Sequence, residues 1–214
     1  MELTRGQSRV VGSLAEKALT TPQHYPLTLN ALVSACNQSS NRDPIVNYGE
    51  SEVEGVLLEL KDLHLVRFVH PSHGRSVVRY RQVLDELLGL DARRLSLLAV
   101  LLLRGPQTLG ELRIRTERMA EFDGLGAVEH DLEALAQGEE PLVARLPRRP
   151  GQKEERWSQL LAEEPDRGPE GAGESRGSRS GGATEELREE LAELRAELAE
   201  LRAEVAELRD SLGG

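Results

Sequence analysis

Residues 51–81 read SEVEGVLLELKDLHLVRFVHPSHGRSVVRYR. Their first part places apolar side chains three and four positions apart, which is the spacing of one face of an amphipathic helix. These side chains are Val53, Val56, Leu57, Leu60 and Leu63. Two β-prone runs, 65–69 and 77–81, then flank the turn-rich segment 70–75. The stretch therefore predicts a helix from about Ser51 to Leu63 followed by a β-hairpin.

Two further helices are predicted before this stretch. Thr4 and Gln7 have the spacing of a capping box, which begins a helix with an apolar face through Ala18. After a break at 20–26, a second helix is capped near Thr28 and runs to Cys36. Three helices followed by a hairpin is the order of a winged helix.

The same order occurs again. Asp91 caps a strongly apolar helix that ends at Arg104, and Thr108 caps the next helix, predicted to about Met119. A third helix is predicted from about 124 to 137. Four of its apolar residues follow four of the first set by 72 positions: Leu125, Val128, Leu132 and Leu135.

A second hairpin completes this repeat, with strands predicted at Leu142–Leu146 and Arg156–Leu160. The predicted fold is mainly α with small β-hairpins, an α+β class built from tandem winged-helix modules. We assign residues 1–83 to the first module and residues 84–162 to the second.

Residues 163–183 are rich in Gly, Ser, Pro and charge, which predicts a flexible linker. Residues 184–212 predict a coiled coil, because apolar residues recur at alternating steps of four and three. The seam consists of Leu187, Leu191, Leu194, Leu198, Leu201, Val205, Leu208 and Leu212.

Charges beside the seam favour parallel association. Arg188, Arg195, Arg202 and Arg209 occupy the e positions, and Glu190, Glu197 and Glu204 occupy g positions. In a parallel pair each g glutamate faces an e arginine, whereas an antiparallel pair brings like charges together. We predict a parallel homo-oligomer, taken as a dimer. A trimer stays open because leucine at nearly all a and d positions does not enforce two strands.

The net charge of −10 is unevenly distributed. Residues 1–158 hold 20 basic and 22 acidic residues, whereas residues 159–214 hold 7 and 15. No apolar stretch reaches the roughly 18 residues of a membrane span, and the N-terminus lacks a signal-peptide pattern. We therefore expect a cytoplasmic protein with no membrane partner. Cys36 is the single cysteine and is expected to be a buried apolar residue.

Several long strings resemble one protein family. They are TPQHYPL at 21–27, ACNQSSNRDP at 35–44, LLLRGPQTLGELR at 101–113 and RRPGQKEER at 148–156. The chain resembles the YceH-like family of uncharacterised bacterial proteins from residue 3 to about residue 162. The resemblance implies a tandem winged-helix fold, a bacterial cytoplasmic protein and a short coiled-coil tail. It brings no activity, catalytic residue or ligand.

Charge along the two modules bears on nucleic-acid binding. A winged helix commonly places its third helix in the major groove. Here the exposed positions of both third helices are largely acidic, which opposes the attraction to phosphate. Basic residues occur instead in the two hairpins, in the loop before the first of these helices, and on the second helix of module two. The candidate nucleic-acid contacts are Arg42, Arg75, Arg79, Arg113, Arg115, Arg148, Arg149, Lys153 and Arg156.

The hairpin charges have a second interpretation, as ordinary solvated residues partly neutralised by Glu154 and Glu155. The loop residues Asn41, Arg42 and Asp43 suit a structural turn, and Arg42 is the one of them best suited to an external contact, with carboxylate or phosphate. Trp157 is expected to anchor the second hairpin against the helices. No catalytic residue, metal site or cofactor is predicted, because the histidines are scattered and no nucleophile motif occurs.

Two functions follow from these features. The first is a non-enzymatic, DNA-associated protein that binds duplex DNA through its wings as a coiled-coil oligomer. Transcriptional regulation is the DNA-linked role considered for it. The second is an interaction scaffold whose tandem modules dock a protein partner, for which acidic third helices would suit a basic surface.

Overall fold

The structure, a computed structural model, describes residues 2–70, 77–148 and 151–162. It is an α+β fold with helices and small antiparallel sheets. The helices are α1 (Arg5–Thr20), α2 (Leu29–Cys36), α3 (Glu50–Asp62), α4 (Leu84–Leu88), α5 (Ala92–Arg104), α6 (Leu109–Thr116) and α7 (Leu125–Leu135). The strands are β1 (Leu27–Thr28), β2 (Val66–Val69), β3 (Arg79–Gln82), β4 (Val143–Leu146) and β5 (Arg156–Gln159). The predicted linker and coiled coil lie outside the described residues.

Polar caps set the helix starts at the predicted positions. At α1, Thr4 Oγ1 accepts from the Gln7 amide and Gln7 Oε1 accepts from the Thr4 amide, at 3.3 and 2.9 Å. Thr108 and Glu111 form the same reciprocal capping box at α6. These caps are confirmed because they depend only on residues three positions apart.

Each hairpin pairs antiparallel. In the first, Val66 lies opposite Gln82 and Val69 lies opposite Arg79. In the second, Val143 lies opposite Gln159 and Leu146 opposite Arg156. The expected strand pairs are thereby confirmed, while hairpin-tip residues 71–76 and 149–150 lie outside the described residues.

A third strand joins the first hairpin. β1 pairs with β3, so the sheet order is β1-β3-β2, and Leu27 lies opposite Tyr80. The second repeat has only a single bridge at the equivalent place, between Gln107 and Trp157, with backbone hydrogen bonds of 2.9 and 2.7 Å. In both repeats, the residues just before the second helix thus hold the hairpin against the helices.

The first helices of the two repeats pack on each other. α5 is buried at every position from Leu95 to Leu103. α1 crosses it at Gly12, where an added Cβ would lie 3.1 Å from Leu103 Cγ and 3.2 Å from Leu102 Cβ. Glycine thus permits close approach of the two helices, and one continuous apolar core includes residues of both repeats.

The ends of the folded region meet. Leu3 bridges to Ala162 in parallel orientation, and the Leu3 amide donates to the Leu161 carbonyl at 2.6 Å. Both leucines are buried. The first and last described segments are therefore fixed to each other.

Two leucines predicted to point inward do not. Leu63 and Leu125 are 42% and 48% exposed, so this part of the periodic pattern is wrong. Leu63 follows the last turn of α3, and Leu125 is the first residue of α7. Helix ends extend past the core, so a residue on the apolar side of the helical wheel can still reach solvent.

Candidate nucleic-acid interface

The outer surface of α3 is acidic. Within the described chain its exposed carboxylates are Glu50, Glu52, Glu54, Glu59 and Asp62. Glu59 Oε2 accepts from Gln7 Nε2 at 2.9 Å, which orients this carboxylate towards α1. Leu58 lies among the acids and is 52% exposed. The helix offers five carboxylates, one exposed apolar side chain and a single cation, Lys61, which is a poor match to phosphate.

The acidic residues of α7 are largely paired. Asp131 is buried, with Oδ2 2.8 Å from Arg93 Nε. Arg145, on β4, lies 2.8 Å from Glu129 and 3.5 Å from Glu133. These ion pairs attach the first helix and the hairpin of the second repeat to α7, and they reduce the net charge of that surface.

Arg145 also joins the two strands of the second hairpin. Its Nη1 lies 3.3 Å from Glu155 Oε2, and its guanidinium lies 4.9 Å from the centre of the Trp157 ring. Trp157 is buried, which confirms its predicted packing role. The base of the hairpin is thus fixed against the helices.

Unpaired cations follow towards the hairpin tip. Arg148 and Lys153 are exposed, and Arg156 is half-buried. Across the residues that the structure describes, no carboxylate lies within ion-pair distance of these three side chains. Arg149 lies outside the described residues. The second hairpin therefore offers positive charge with few internal partners.

The first hairpin is more neutral. Arg81 and Arg67 both pair with Glu86, the latter at 2.8 Å. Arg79 is exposed, and its Nη1 donates to the Pro26 carbonyl at 2.8 Å. Arg75 lies outside the described residues. Arg79 is therefore the one predicted contact of this hairpin that lies within the described residues. Among those residues it has no carboxylate partner.

α6 adds a second group of cations. Arg113 is exposed and has no carboxylate partner among the described residues, whereas Arg115 is half-buried with Nη2 3.5 Å from Glu111. Ile114, between them, is 73% exposed. This helix thus presents an apolar side chain flanked by arginines.

Arg42 does not lie at the surface, which corrects its expected external contact. Its side chain is fully buried and forms a bidentate ion pair with Glu16, at 2.6 and 3.0 Å. Arg42 Nε also donates to the Ala35 carbonyl at 3.0 Å, which caps the end of α2. Because Nε, Nη1 and Nη2 of Arg42 all donate to acceptors inside the protein, this side chain does not reach an external interface.

A cleft near Arg42 contains Arg115 together with three cations that are not among the sequence-predicted contacts. It lies between α1, the loop after α2, α5 and α6, and its volume is about 160 Å³. Its cationic lining consists of Lys17, Arg104, Arg115 and Arg118. Lys17 and Arg104 occupy the last turns of their helices. Basic residues are common there, so no local pattern distinguishes these two as members of a cleft.

A model of a known family covers most of the described chain. The family described as "Protein of unknown function, DUF480" matches residues 3–152. The chain belongs to the DUF480 family. This match includes the first repeat and the second repeat as far as residue 152, while β5 and the leucine heptads at 184–212 lie outside it.

This DUF480 chain is also similar to proteins named UPF0502 protein. The one from Geobacter sulfurreducens is 54% identical over 158 residues, covering 74% of this chain and 71% of its own. The one from Geotalea daltonii is 53% identical over 165 residues, covering 76% and 74%. A relative from Shewanella piezotolerans is 45% identical over 168 residues, covering 77% of each chain.

Two absences hold for the described residues of this DUF480 chain. Within them, no helix has the length and apolar character needed to cross a membrane. No group of three or more histidine, cysteine, aspartate or glutamate side chains has the geometry to hold a metal ion in the same ranges.

Proposed function

We propose that this chain is a non-enzymatic tandem winged-helix protein that associates with duplex DNA through its second hairpin and α6. We further propose that it acts in transcriptional regulation or a related DNA-linked process. In this proposal the first winged helix spans residues 1–83 and the second spans 84–162. The resemblance to the YceH-like family and the repeated order of three helices and a hairpin support this interpretation.

The main support is the separation of paired from unpaired charge. The acids of α7 are occupied by Arg93 and Arg145, whereas Arg113, Arg148 and Lys153 are exposed without carboxylate partners in the described ranges. An unpaired surface cation can exchange its counterions for a phosphate without breaking an internal ion pair. The second hairpin and α6 are therefore the surfaces that best suit a nucleic-acid backbone.

This distribution favours contacts to phosphate over reading of bases. The third helices, which usually enter the major groove, carry carboxylates that repel the backbone. Basic hairpins can instead contact phosphates or a minor groove. We therefore propose binding of low sequence preference that weakens steeply with salt.

Self-association would strengthen such binding. The heptads at 184–212 support a parallel coiled coil, and the linker at 163–183 would let two DNA-binding units engage one duplex. Leu198→Pro in the full chain should break the helix and yield a monomer by light scattering. Its DNA affinity should fall as well, because each unit would then bind alone. A variant that stays dimeric would assign self-association to another surface.

A salt titration tests the DNA proposal directly. The full chain is mixed with a labelled 30-base-pair duplex of random sequence, and the dissociation constant is measured by fluorescence anisotropy from 50 to 200 mM NaCl. We expect affinity to fall with salt with the slope of several released counterions. Arg148→Glu combined with Lys153→Glu should abolish binding.

A matched control changes the same charge elsewhere. Lys61→Glu with Arg67→Glu alters two exposed cations of the first repeat that are outside the proposed interface. Affinity near that of the parent chain is expected for this control. Equal loss in both double variants would reduce the effect to net charge, and no binding by the parent chain at 50 mM NaCl would refute the proposal.

A second candidate function is protein docking on α3. It is favoured by Leu58, an exposed apolar residue surrounded by carboxylates, which suits a partner with basic and apolar side chains. If the duplex fails to bind at low salt, a partner captured by the parent chain but lost in Glu54→Lys with Leu58→Asp would support this function.

A further inference from the structure

The cleft near Arg42 is a polar cavity between α1, α5, α6 and the loop after α2. Side chains from the last turns of α1, α5 and α6 form its walls, and residues 38–41 close it on the side of α2. At about 160 Å³ it can hold several water molecules or a compact ion. It is distinct from the second hairpin and is open to solvent, because Ser40, Asn41 and Arg118 of its lining are exposed.

The lining charge is unbalanced. Lys17, Arg104, Arg115 and Arg118 contribute four cations, and Glu16 is the only acid among the lining residues. The Glu16 carboxylate is already held by the bidentate pair with Arg42 behind the wall. Arg42 therefore neutralises most of the negative charge that Glu16 would otherwise contribute to the cleft.

The remaining ion pairs of the lining cations are long. Lys17 Nζ lies 3.6 Å from Glu16 Oε2 and 3.4 Å from Gln38 Oε1. Arg115 Nη2 lies 3.5 Å from Glu111 Oε1. These distances exceed those of strong charge-assisted hydrogen bonds, so these cations keep donor capacity for another anion.

Arg104 is a half-buried cation of the lining and lies close to Arg115. Its Nη1 donates to Asn41 Oδ1 at 2.6 Å, and the left-handed backbone of Asn41, with φ of +60°, orients that amide. Burial lowers the pKa of the Arg104 guanidinium, and repulsion from Arg115 lowers it further, while the nearby carboxylates of Glu111 and Asp43 act in the opposite direction. Repulsion between desolvated cations decreases when an anion lies between them.

Two buried arginines, Arg9 and Arg42, lie behind the lining of the cleft. Arg9 is buried and donates to the carbonyls of Cys36 and Pro44, the first at 3.4 Å. Burial lowers the pKa of Arg9, as does the neighbouring Arg42. Glu16 balances Arg42, and Asp43 partly offsets the charge of Arg9, so the interior behind the lining carries no excess of negative charge.

Helix dipoles act in the opposite direction. Three helices, α1, α5 and α6, end at the cleft, α2 ends just before the loop that closes it, and each C-terminus is equivalent to about half a negative charge. Their carbonyls already accept internal hydrogen bonds: Ala35 accepts from Arg42, and Leu103 accepts from the Asp43 amide at 2.9 Å. The side-chain donors of the lining therefore stay available, and full cationic charges outweigh these screened dipoles.

We infer that this cleft binds a phosphate group through Lys17, Arg104, Arg115 and Arg118. The volume suits inorganic phosphate, pyrophosphate or the terminal phosphate of a larger molecule. The guanidiniums provide the planar donors that phosphate oxygens accept, and Lys17 provides a mobile point charge. The phosphate could belong to a free small molecule or to a nucleic-acid backbone. The site itself does not depend on the proposed DNA function.

Calorimetry with pyrophosphate tests the site. The full chain is titrated at fixed ionic strength, with NaCl replacing the anion in the reference. We expect saturable binding of pyrophosphate with one site per chain. Heat and melting temperature that follow ionic strength alone, with no saturation, would overturn the inference.

Matched variants locate the binding. Arg118→Gln combined with Lys17→Gln should raise the pyrophosphate dissociation constant at least tenfold. The control pair, Arg113→Gln with Lys153→Gln, removes the same charge from exposed residues outside the cleft and should change it less than twofold. Equal losses in both pairs would refute a specific site. Thermal unfolding of each variant checks that the chain is folded, and Arg118→Lys gives a milder second test at an exposed position.

A competition experiment assigns the source of the phosphate. The chain with Arg148→Glu and Lys153→Glu, whose second hairpin cannot bind DNA under the proposal above, is loaded with pyrophosphate. Displacement by a short duplex would assign the site to a backbone phosphate, and retention of pyrophosphate would assign it to a small anion. Failure of the duplex to bind the parent chain would refute the DNA proposal and leave the pyrophosphate result unaffected.

Discussion

The carboxylate of Glu16 and the guanidinium of Arg42 face each other inside the first repeat, with Oε2 2.6 Å from Nη2 and Oε1 3.0 Å from Nη1. The pair joins α1 to the loop that follows α2. Arg42 also donates to the Ala35 carbonyl, so one side chain closes the end of a helix and neutralises a buried acid. Arg42 thereby anchors to the helices a loop whose other residues, 37–41 and 43–49, are exposed or half-buried.

Removing one partner of this pair should be strongly destabilising. Arg42→Met leaves the buried Glu16 with only the long contact to Lys17 at 3.6 Å, and we expect the free energy of unfolding to fall by about 3–5 kcal/mol. Glu16→Leu with Arg42→Met should cost less than the sum of the single changes, because neither charge is left alone. Urea unfolding of the four chains measures this coupling.

A surface pair provides the comparison. Arg67 and Glu86 are 2.8 Å apart, but their side chains are 60% and 41% exposed. Arg67→Ala should change the free energy of unfolding by less than about 1 kcal/mol. A loss at Arg67 as large as that at Arg42 would contradict the role assigned to burial.

The contrast between caps and Arg42 shows what the sequence could predict. Thr4 and Thr108 begin helices through partners three residues away, so their pattern is complete within a short window. The partner of Arg42, by contrast, lies 26 residues away on another helix. Without that contact, a loop arginine has the pattern of a surface residue.

Distance along the chain also explains the missed strand and the missed cleft. β1 has only two residues, and its pairing with Tyr80 depends on how the first hairpin folds back. Lys17 and Arg104 share a cleft only because α1 packs on α5. The repeated element order, by comparison, was predictable because each helix and strand has its own local periodicity.

The close contact of α1 and α5 gives a second stability prediction. Gly12→Ala would place a methyl group 3.1 Å from Leu103 Cγ, so the helices must separate slightly. We expect a loss of about 1–3 kcal/mol in the free energy of unfolding, measured in urea.

Gly55, in the middle of α3, is the matched control. An added Cβ there meets no atom within 4 Å. Gly55→Ala should therefore raise the free energy of unfolding by about 0.5–1 kcal/mol through helix propensity. Stabilisation by both substitutions would show that the α1–α5 contact can adjust freely.

Trp157 should report on the whole folded unit. It is the only tryptophan of the chain, is 3% exposed, and shares its core with residues of the first repeat such as Val10. We expect blue-shifted fluorescence that resists acrylamide quenching. Its urea transition should coincide with loss of helical circular dichroism, as for one cooperative unit. Separate midpoints would mean that the repeats unfold independently.

The thiol of Cys36 should be unreactive in the folded protein. It is fully buried, and burial raises its pKa above the ordinary value of 9.0. Reaction with a chromogenic disulfide at pH 8 should be at least about a hundredfold slower than in urea, because attack needs an exposed thiolate. Fast labelling without denaturant would contradict this burial.

The same pKa shift has a defined effect on stability. As pH rises past 9.0, the unfolded chain loses this proton before the folded chain does. The free energy contributed by the neutral thiol is present below that pH and decreases above it. Cys36→Ala should therefore reduce the fall in stability between pH 9 and 10, as measured by urea unfolding.

The hydrogen bond between Leu3 and Leu161 has a consequence for engineering. Because the two ends of the folded region are adjacent, a short peptide could join residue 162 to residue 2 without spanning the molecule. New termini could then open at Gly89, an exposed left-handed residue between α4 and α5. Such a circular permutant would present the two repeats in reversed order while keeping the packing of α1 on α5.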